Sequence, residues 1–188
     1  EELIMKPFNN YNETQAITDS AKLPVGAYVC KIMGAEVKSY SWGDRLEISI
    51  DIIEGEYTGF YAANYRTQTT EDKKWKGVLR LSVPVDDGSD SDNLSKKMFK
   101  TAMVAIEESN SGYHWDWNEA GLKGKVIGCI FRNEEWVYNG RSGWTAQPFK
   151  FITPEIVRSG NYTLPKDKPH KNNSGGMNNY SSNPANIP

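Results

Sequence analysis

From Arg45 to Ile52 apolar and polar residues alternate without a break. Leu46, Ile48, Ile50 and Ile52 fall on one side, and Arg45, Glu47, Ser49 and Asp51 on the other. A period of two marks a β-strand with one buried and one solvated face. Upstream, VGAYVCKIMGAEVKSY is a longer β-type run, and Gly34 in its middle suggests a bend or bulge. The intervening WGD is a turn signal, so the two runs form an antiparallel hairpin. After a second turn, GEYTG, the Tyr-rich FYAANYR reads as a third strand. A long connection follows, from Thr67 to Asp92, and ends in the acidic DDGSDSDN.

The period then changes. In NLSKKMFKTAMVAIEES, Leu94, Met98, Ala102 and Ile106 recur at helical spacing, with Phe99 and Met103 alongside. Asp90 and Asp92 precede this run, where side-chain oxygens and negative charge suit a helix N-terminus. NSGYHWDWNEAG is a loop whose Trp115 and Trp117 are expected to latch against the body of the protein. LKGKVIGCIFRNEEW is a fourth strand, with Ile127, Cys129 and Phe131 on one face. YNGRSG is a hairpin turn, and WTAQPFKFI is a fifth strand in which Pro148 argues for an edge position. Phe60, Phe131, Phe149 and Phe151 are expected in the core.

Three strands, a helix and two strands predict a mainly β fold, a five-stranded Greek-key barrel of OB type with its helix between strands 3 and 4. The barrel domain is placed at residues 23–160. A polar N-terminal arm, 1–22, precedes it, and a flexible low-complexity tail, 161–188, follows it.

Composition narrows the chemistry. The chain has 188 residues and a net charge of -2, so a polyanionic partner would have to meet local rather than global positive charge. The two cysteines, Cys30 and Cys129, lie in strand-like segments and read as buried thiols of a reducing compartment, with a disulfide as the alternative. No apolar run reaches the roughly 18 residues of a membrane span, and no signal-peptide pattern is visible. His114 and His170 are far apart, and no Cys/His group has zinc spacing. Phosphate-loop and nucleophile-elbow motifs are absent. DDGSDSDN lacks the glycine at the sixth position and the glutamate at the twelfth that a calcium loop needs, and reads as a solvated linker and helix cap. A non-catalytic protein without a cofactor is expected.

Rings interleaved with cations remain. From Phe60 to Arg80 the rings of Phe60, Tyr61, Tyr65 and Trp75 stand among Arg66, Lys73, Lys74, Lys76 and Arg80, opposed only by Glu71 and Asp72, a net-positive window in an acidic chain. Tyr40, Trp42 and Arg45 form a second group at the first hairpin turn. Arg132, Trp136, Tyr138, Arg141, Trp144 and Lys150 form a third on the last hairpin. Bases stack on aromatic faces and phosphates follow cations, so this pattern suits single-stranded nucleic acid. The loops joining strands 1 to 2 and 4 to 5 flank the binding face of an OB barrel, and Tyr40, Trp42, Tyr138 and Arg141 fall in them. The candidate nucleic-acid-binding set is therefore Tyr40, Trp42, Arg45, Tyr61, Tyr65, Arg66, Lys73, Lys74, Trp75, Lys76, Tyr138 and Arg141. Two points stay open. Arg45 could pair with Glu47 or Asp51, and Trp75 either folds back on the barrel or offers its ring for stacking.

LPVGAYVCKIMGAEVKSYSWGDRLEISIDIIEGEYTGFY, EDKKWKGVLR and WDWNEAGLKGKVIGCIFRNEEW, in this order, resemble a family of small OB-fold proteins of bacteriophages and mobile elements. The resemblance spans about Leu23 to Ile156. It implies single-stranded DNA binding in the cytoplasm during replication or recombination. Single-stranded DNA is the expected partner, with replication or recombination proteins and a second copy of the chain as further ones. The tail ends NYSSNPANIP, without the acidic tip by which many bacterial single-strand-binding proteins recruit partners. The alternative is a β-barrel or sandwich interaction module, structural or carbohydrate-binding, that uses exposed aromatics.

Overall fold

The structure is a computed structural model and describes residues 9–12 and 22–171. Five strands form one antiparallel sheet in the order β3-β2-β1-β4-β5: β1 (Ala27–Tyr40), β2 (Gly43–Ile52), β3 (Val78–Ser82), β4 (Val126–Tyr138) and β5 (Arg141–Ile152). The first hairpin forms in the expected register, with Tyr40 opposite Gly43 and Ile32 opposite Ile50. The ladder then skips Met33 and resumes at Gly34, the bulge that the glycine suggested. β1 pairs with β4 from Ala27 to Lys31 and with β2 from Cys30 to Tyr40, and the bend at the bulge lets one sheet curl around one core. The sheet is not closed, so the expected closed barrel is absent. β3 and β5 are its two ends, and Leu79, Leu81, Phe149 and Phe151 line an apolar seam between them.

The Tyr-rich third strand is corrected. FYAANYR is a helix, α1 (Phe60–Thr67). Its aromatics favour strands by propensity, but Asp51 decides the outcome from across the turn. The Asp51 carboxylate accepts from the Tyr61 and Ala62 backbone N–H groups at 2.9 and 3.2 Å, so it caps the helix start. The true third strand, VLRLS, lies inside the stretch expected as a connection. Val78, Leu79 and Leu81 of this strand are buried.

α2 (Asp90–Ser109) lies between β3 and β4 and starts at Ser89, whose Oγ accepts from the Asp92 N–H at 3.1 Å. Its buried face is Phe99, Ala102, Met103, Ala105 and Ile106. Leu94 and Met98, expected on that face, are exposed, because the core stripe runs through Phe99 and Met103 instead. A short 3-10 turn (Glu119–Leu122) and a final helix, α3 (Pro154–Ser159), complete the body.

Phe131 and Phe151 are in the core, while Phe60 packs at its margin and Phe149 is the residue skipped by a bulge in β5. Cys30 and Cys129 are both buried and free. Trp115 packs on the core as expected, whereas Trp117 stays exposed. Residues 161–170, placed in the tail by sequence, run back along β4. There Lys168 pairs with the backbone of Asn133 and Glu135 at 2.8 and 2.9 Å. Most of the expected arm, and the tail beyond 171, lie outside the described residues. No helix among the described residues is long and apolar enough to cross a membrane.

Candidate nucleic-acid interface

The first hairpin brings three predicted residues together. The Tyr40 and Trp42 rings stack, 5.0 Å apart and 11° from parallel. The Arg45 guanidinium lies 4.3 Å from the Trp42 ring and 6.0 Å from that of Tyr40, and it pairs with neither Glu47 nor Asp51. Trp42 is 58% exposed, an unusual fraction for the largest apolar side chain.

Behind this cluster sits Glu47, a nearly buried carboxylate. It accepts from the Tyr40 hydroxyl at 2.9 Å and from Arg80 Nε at 3.0 Å, and it pairs with Lys38 at 3.3 Å. Desolvation alone would raise its pKa. The hydrogen bonds from Tyr40, Lys38 and Arg80 outweigh it, and the carboxyl is held below its ordinary value. Glu36 also pairs with Lys38, at 2.8 Å, so the two carboxylates together offset the charges of Lys38 and Arg80. Among the described residues Arg45 makes no ion pair, so it carries the available charge of this corner.

The second cluster forms where α1 and the following loop meet β2. Trp75 Nε1 donates to the Ile50 carbonyl at 2.9 Å, and the half-buried indole packs against the core. The exposed Tyr65 ring lies 5.9 Å from it, tilted by 41°, and Lys73 Nζ lies 5.9 Å from the Tyr65 centroid. Gln68 fastens the loop. Its side chain accepts from the Lys74 N–H at 2.9 Å and donates to the Lys74 carbonyl, also at 2.9 Å. Lys73 Nζ donates to the Arg66 carbonyl at 3.2 Å, and Lys74 faces Asp72 at 3.2 Å in an exposed pair of little energetic weight. Arg66, Lys73 and Lys76 make no ion pair among the described residues.

Tyr61 does not belong to this surface. It is 4% exposed and stacks on Phe131 in the core, with ring centroids 6.4 Å apart, and burial pushes its phenol pKa well up. Helical geometry explains the change. Once FYAANYR coils around Asp51, Tyr61 turns inward and Tyr65, one turn later, sits at the rim.

The third group is an arm, the distal part of β4 and β5. Its turn, Asn139–Gly140, has φ of 48° and 73°, the left-handed pair of a two-residue hairpin. Tyr138 and Arg141 face each other across it and are exposed. The Arg132 guanidinium is engaged by Glu134 at 2.6 Å and by the Phe149 ring at 4.4 Å. Trp136 and Trp144, grouped with this hairpin in sequence but outside the candidate set, are each a little under half exposed. The arm, α1 and residues 22–25 enclose a groove of about 890 Å³ that includes Lys76.

The candidate set thus resolves into separate places. Tyr40, Trp42 and Arg45 sit near the start of β2. Tyr65, Arg66, Lys73, Lys74 and Trp75 gather near its end. At roughly 3.3 Å per residue, the five steps from Arg45 to Ile50 put these ends about 16 Å apart. Lys76 faces the arm, and Tyr138 and Arg141 mark its tip.

Burial pushes both thiols up, Cys129 to about 12, so neither is an activated nucleophile. Among the described residues no group of three or more His, Cys, Asp or Glu could hold a metal ion. No protein-family model matches the chain, and no curated protein matches its sequence.

Proposed function

We propose that the protein binds single-stranded DNA without catalysing a reaction, in the replication or recombination of phage or mobile-element DNA. One observation carries this reading: exposed rings flank β2 with cations against them that make no ion pair among the described residues, Trp42 with Arg45 at one end and Tyr65 with Lys73 at the other. Stacking accepts any base, and cations accept any phosphate, so the binding is salt-dependent and weakly selective for sequence. The strand order, the bent first strand and the helix ahead of β4 support reading the fold as an OB-type barrel left open between β3 and β5. The first and last hairpins then stand where such folds hold nucleic acid. The resemblance of Leu23–Ile156 to phage OB-fold proteins points the same way.

The test is to neutralise Lys73, Lys74 and Lys76 together and titrate a fluorescent dT oligonucleotide at low salt. The expected result is a clear loss of affinity with an unchanged melting temperature. Unchanged affinity would contradict the reading. It would favour an interaction module that uses exposed rings such as Trp117 on a protein or sugar, with salt-insensitive binding.

A further inference from the structure

The groove between the arm and α1 differs from the rest of this acidic molecule. Lys22 and Lys76 are its charged residues, and no aspartate or glutamate is among the described residues that line it. Glu135, opposite Trp144 in the ladder, has its carboxylate engaged by the returning chain, accepting from the His170 N–H at 2.9 Å. Neither lysine makes an ion pair among the described residues. The volume, about 890 Å³, is within the range of roughly 300–1,000 Å³ usual for small-molecule and cofactor sites.

Its apolar parts are flat and accessible. The Trp136 indole lies over Gly143, where an added Cβ would come within 2.7 Å of the ring. Glycine there lets the indole rest against the arm's backbone. Trp144, the next residue along β5, is 43% exposed. Phe60 contributes a third ring from α1. The side-chain amides of Asn133 and Gln147, also at the groove, make no hydrogen bond among the described residues. Flat rings, free amides and positive charge match the faces, edges and phosphates of nucleotides.

We infer that this groove holds a short run of single-stranded DNA, with a base stacked on Trp144 and phosphates at Lys22 and Lys76. The inference rests on the single-stranded DNA reading above and gives the strand a route. From the Tyr65–Trp75 cluster it passes Lys76, which follows Trp75 directly, into the groove and out toward Tyr138 and Arg141.

The test uses the full chain and a dT oligonucleotide carrying 5-bromodeoxyuridine, which photocrosslinks to nearby aromatic rings. The groove predicts crosslinks in the tryptic peptide Ser142–Lys150, whose one tryptophan is Trp144. Trp144→Ala is expected to weaken binding roughly 5- to 100-fold, with partial recovery in Trp144→Phe. Lys22→Ala with Lys76→Ala is expected to flatten the slope of log K against log salt by about 1.4, at ~0.7 per phosphate contact. The wild-type crosslink does not depend on how any variant folds. If the protein binds the oligonucleotide but crosslinks only within Ser39–Arg45, and both sets of variants bind normally, the groove is not the site and DNA binding stands. If the wild-type protein does not bind at low salt, the single-stranded DNA reading fails and the groove assignment fails with it.

Discussion

Trp75 stands among three lysines in the sequence, yet it ties its indole to the Ile50 carbonyl and to the core. It is an anchor whose outer edge extends the Tyr65 surface. Trp75→Ala should therefore cost about 2–3 kcal/mol of stability, a half-buried ring plus one hydrogen bond, measured by urea denaturation. Trp42 is the opposite case. Its ring meets Tyr40 and Arg45 at a hairpin tip, so Trp42→Ala should leave the melting temperature within a degree or two. Single-stranded DNA affinity should fall roughly 5- to 100-fold. Tyr61 provides the control. Its hydroxyl is buried with no hydrogen-bond partner among the described residues, so Tyr61→Phe removes an unsatisfied group. Equal or higher stability and unchanged DNA affinity are expected. Reduced affinity would return Tyr61 to the binding surface.

At the scale of elements, two local devices set the geometry around β3. Gly77 is one. A Cβ there would fall 2.5 Å from the Tyr61 ring and 2.7 Å from the Ile50 carbonyl oxygen, both held by the core. Gly77→Ala should destabilise by about 1–3 kcal/mol and displace the Trp75 loop, which a loss of melting temperature together with weaker DNA binding would register. Asp92 is the other. It accepts from the Val85, Asp86 and Gly88 N–H groups and meets Lys96 at 2.8 Å, so it fastens the β3–α2 connection to the helix. The Lys96 hydrogen bond is the chief cause holding its pKa down to about 2 from an ordinary 3.8. Desolvation opposes this shift, and the backbone donors reinforce it. A carboxyl held below its unfolded value stabilises the fold above that value and loses the contribution as pH falls through the folded one. Thermal melts of the wild type should therefore lose stability between about pH 4 and pH 2 beyond what Asp92→Asn loses. Parallel curves would contradict this role.

The elements that could be read from sequence were those with unbroken local patterns. The β1–β2 hairpin, the Gly34 bulge, α2, and the β4–β5 hairpin with its Asn139–Gly140 turn all carry their own signals. α1 does not. Its aromatic composition favours a strand, and the deciding group, Asp51, lies ten residues upstream of Tyr61 and acts through space. With α1 taken for the third strand, β3 falls within the connection, although Leu79, Leu81 and Val83 alternate there with Arg80 and Ser82, a short period-two signal.

For the whole molecule, the candidate surface was legible in outline but not in its pairing. The sequence counts cations. Only the fold shows that Glu47 draws in Lys38 and Arg80, that Glu134 occupies Arg132, and that Tyr61 belongs to the core. Long-range pairing of this kind leaves no local pattern. Trp136 and Trp144 gained weight for the same reason, since the groove they share with Lys76 joins segments far apart in the chain. In a molecule of net charge -2, the proposed binding depends on cations that make no ion pair among the described residues, Lys22, Arg45, Arg66, Lys73, Lys76 and Arg141 among them.

That dependence is measurable. Fluorescence anisotropy of a labelled dT oligonucleotide, repeated across a series of salt concentrations, gives the slope of log K against log salt. Three to five phosphate contacts at ~0.7 each predict a slope of about -2 to -3.5, with clear binding at low salt. No binding at low salt, or binding whose affinity is flat across the series, would contradict the account.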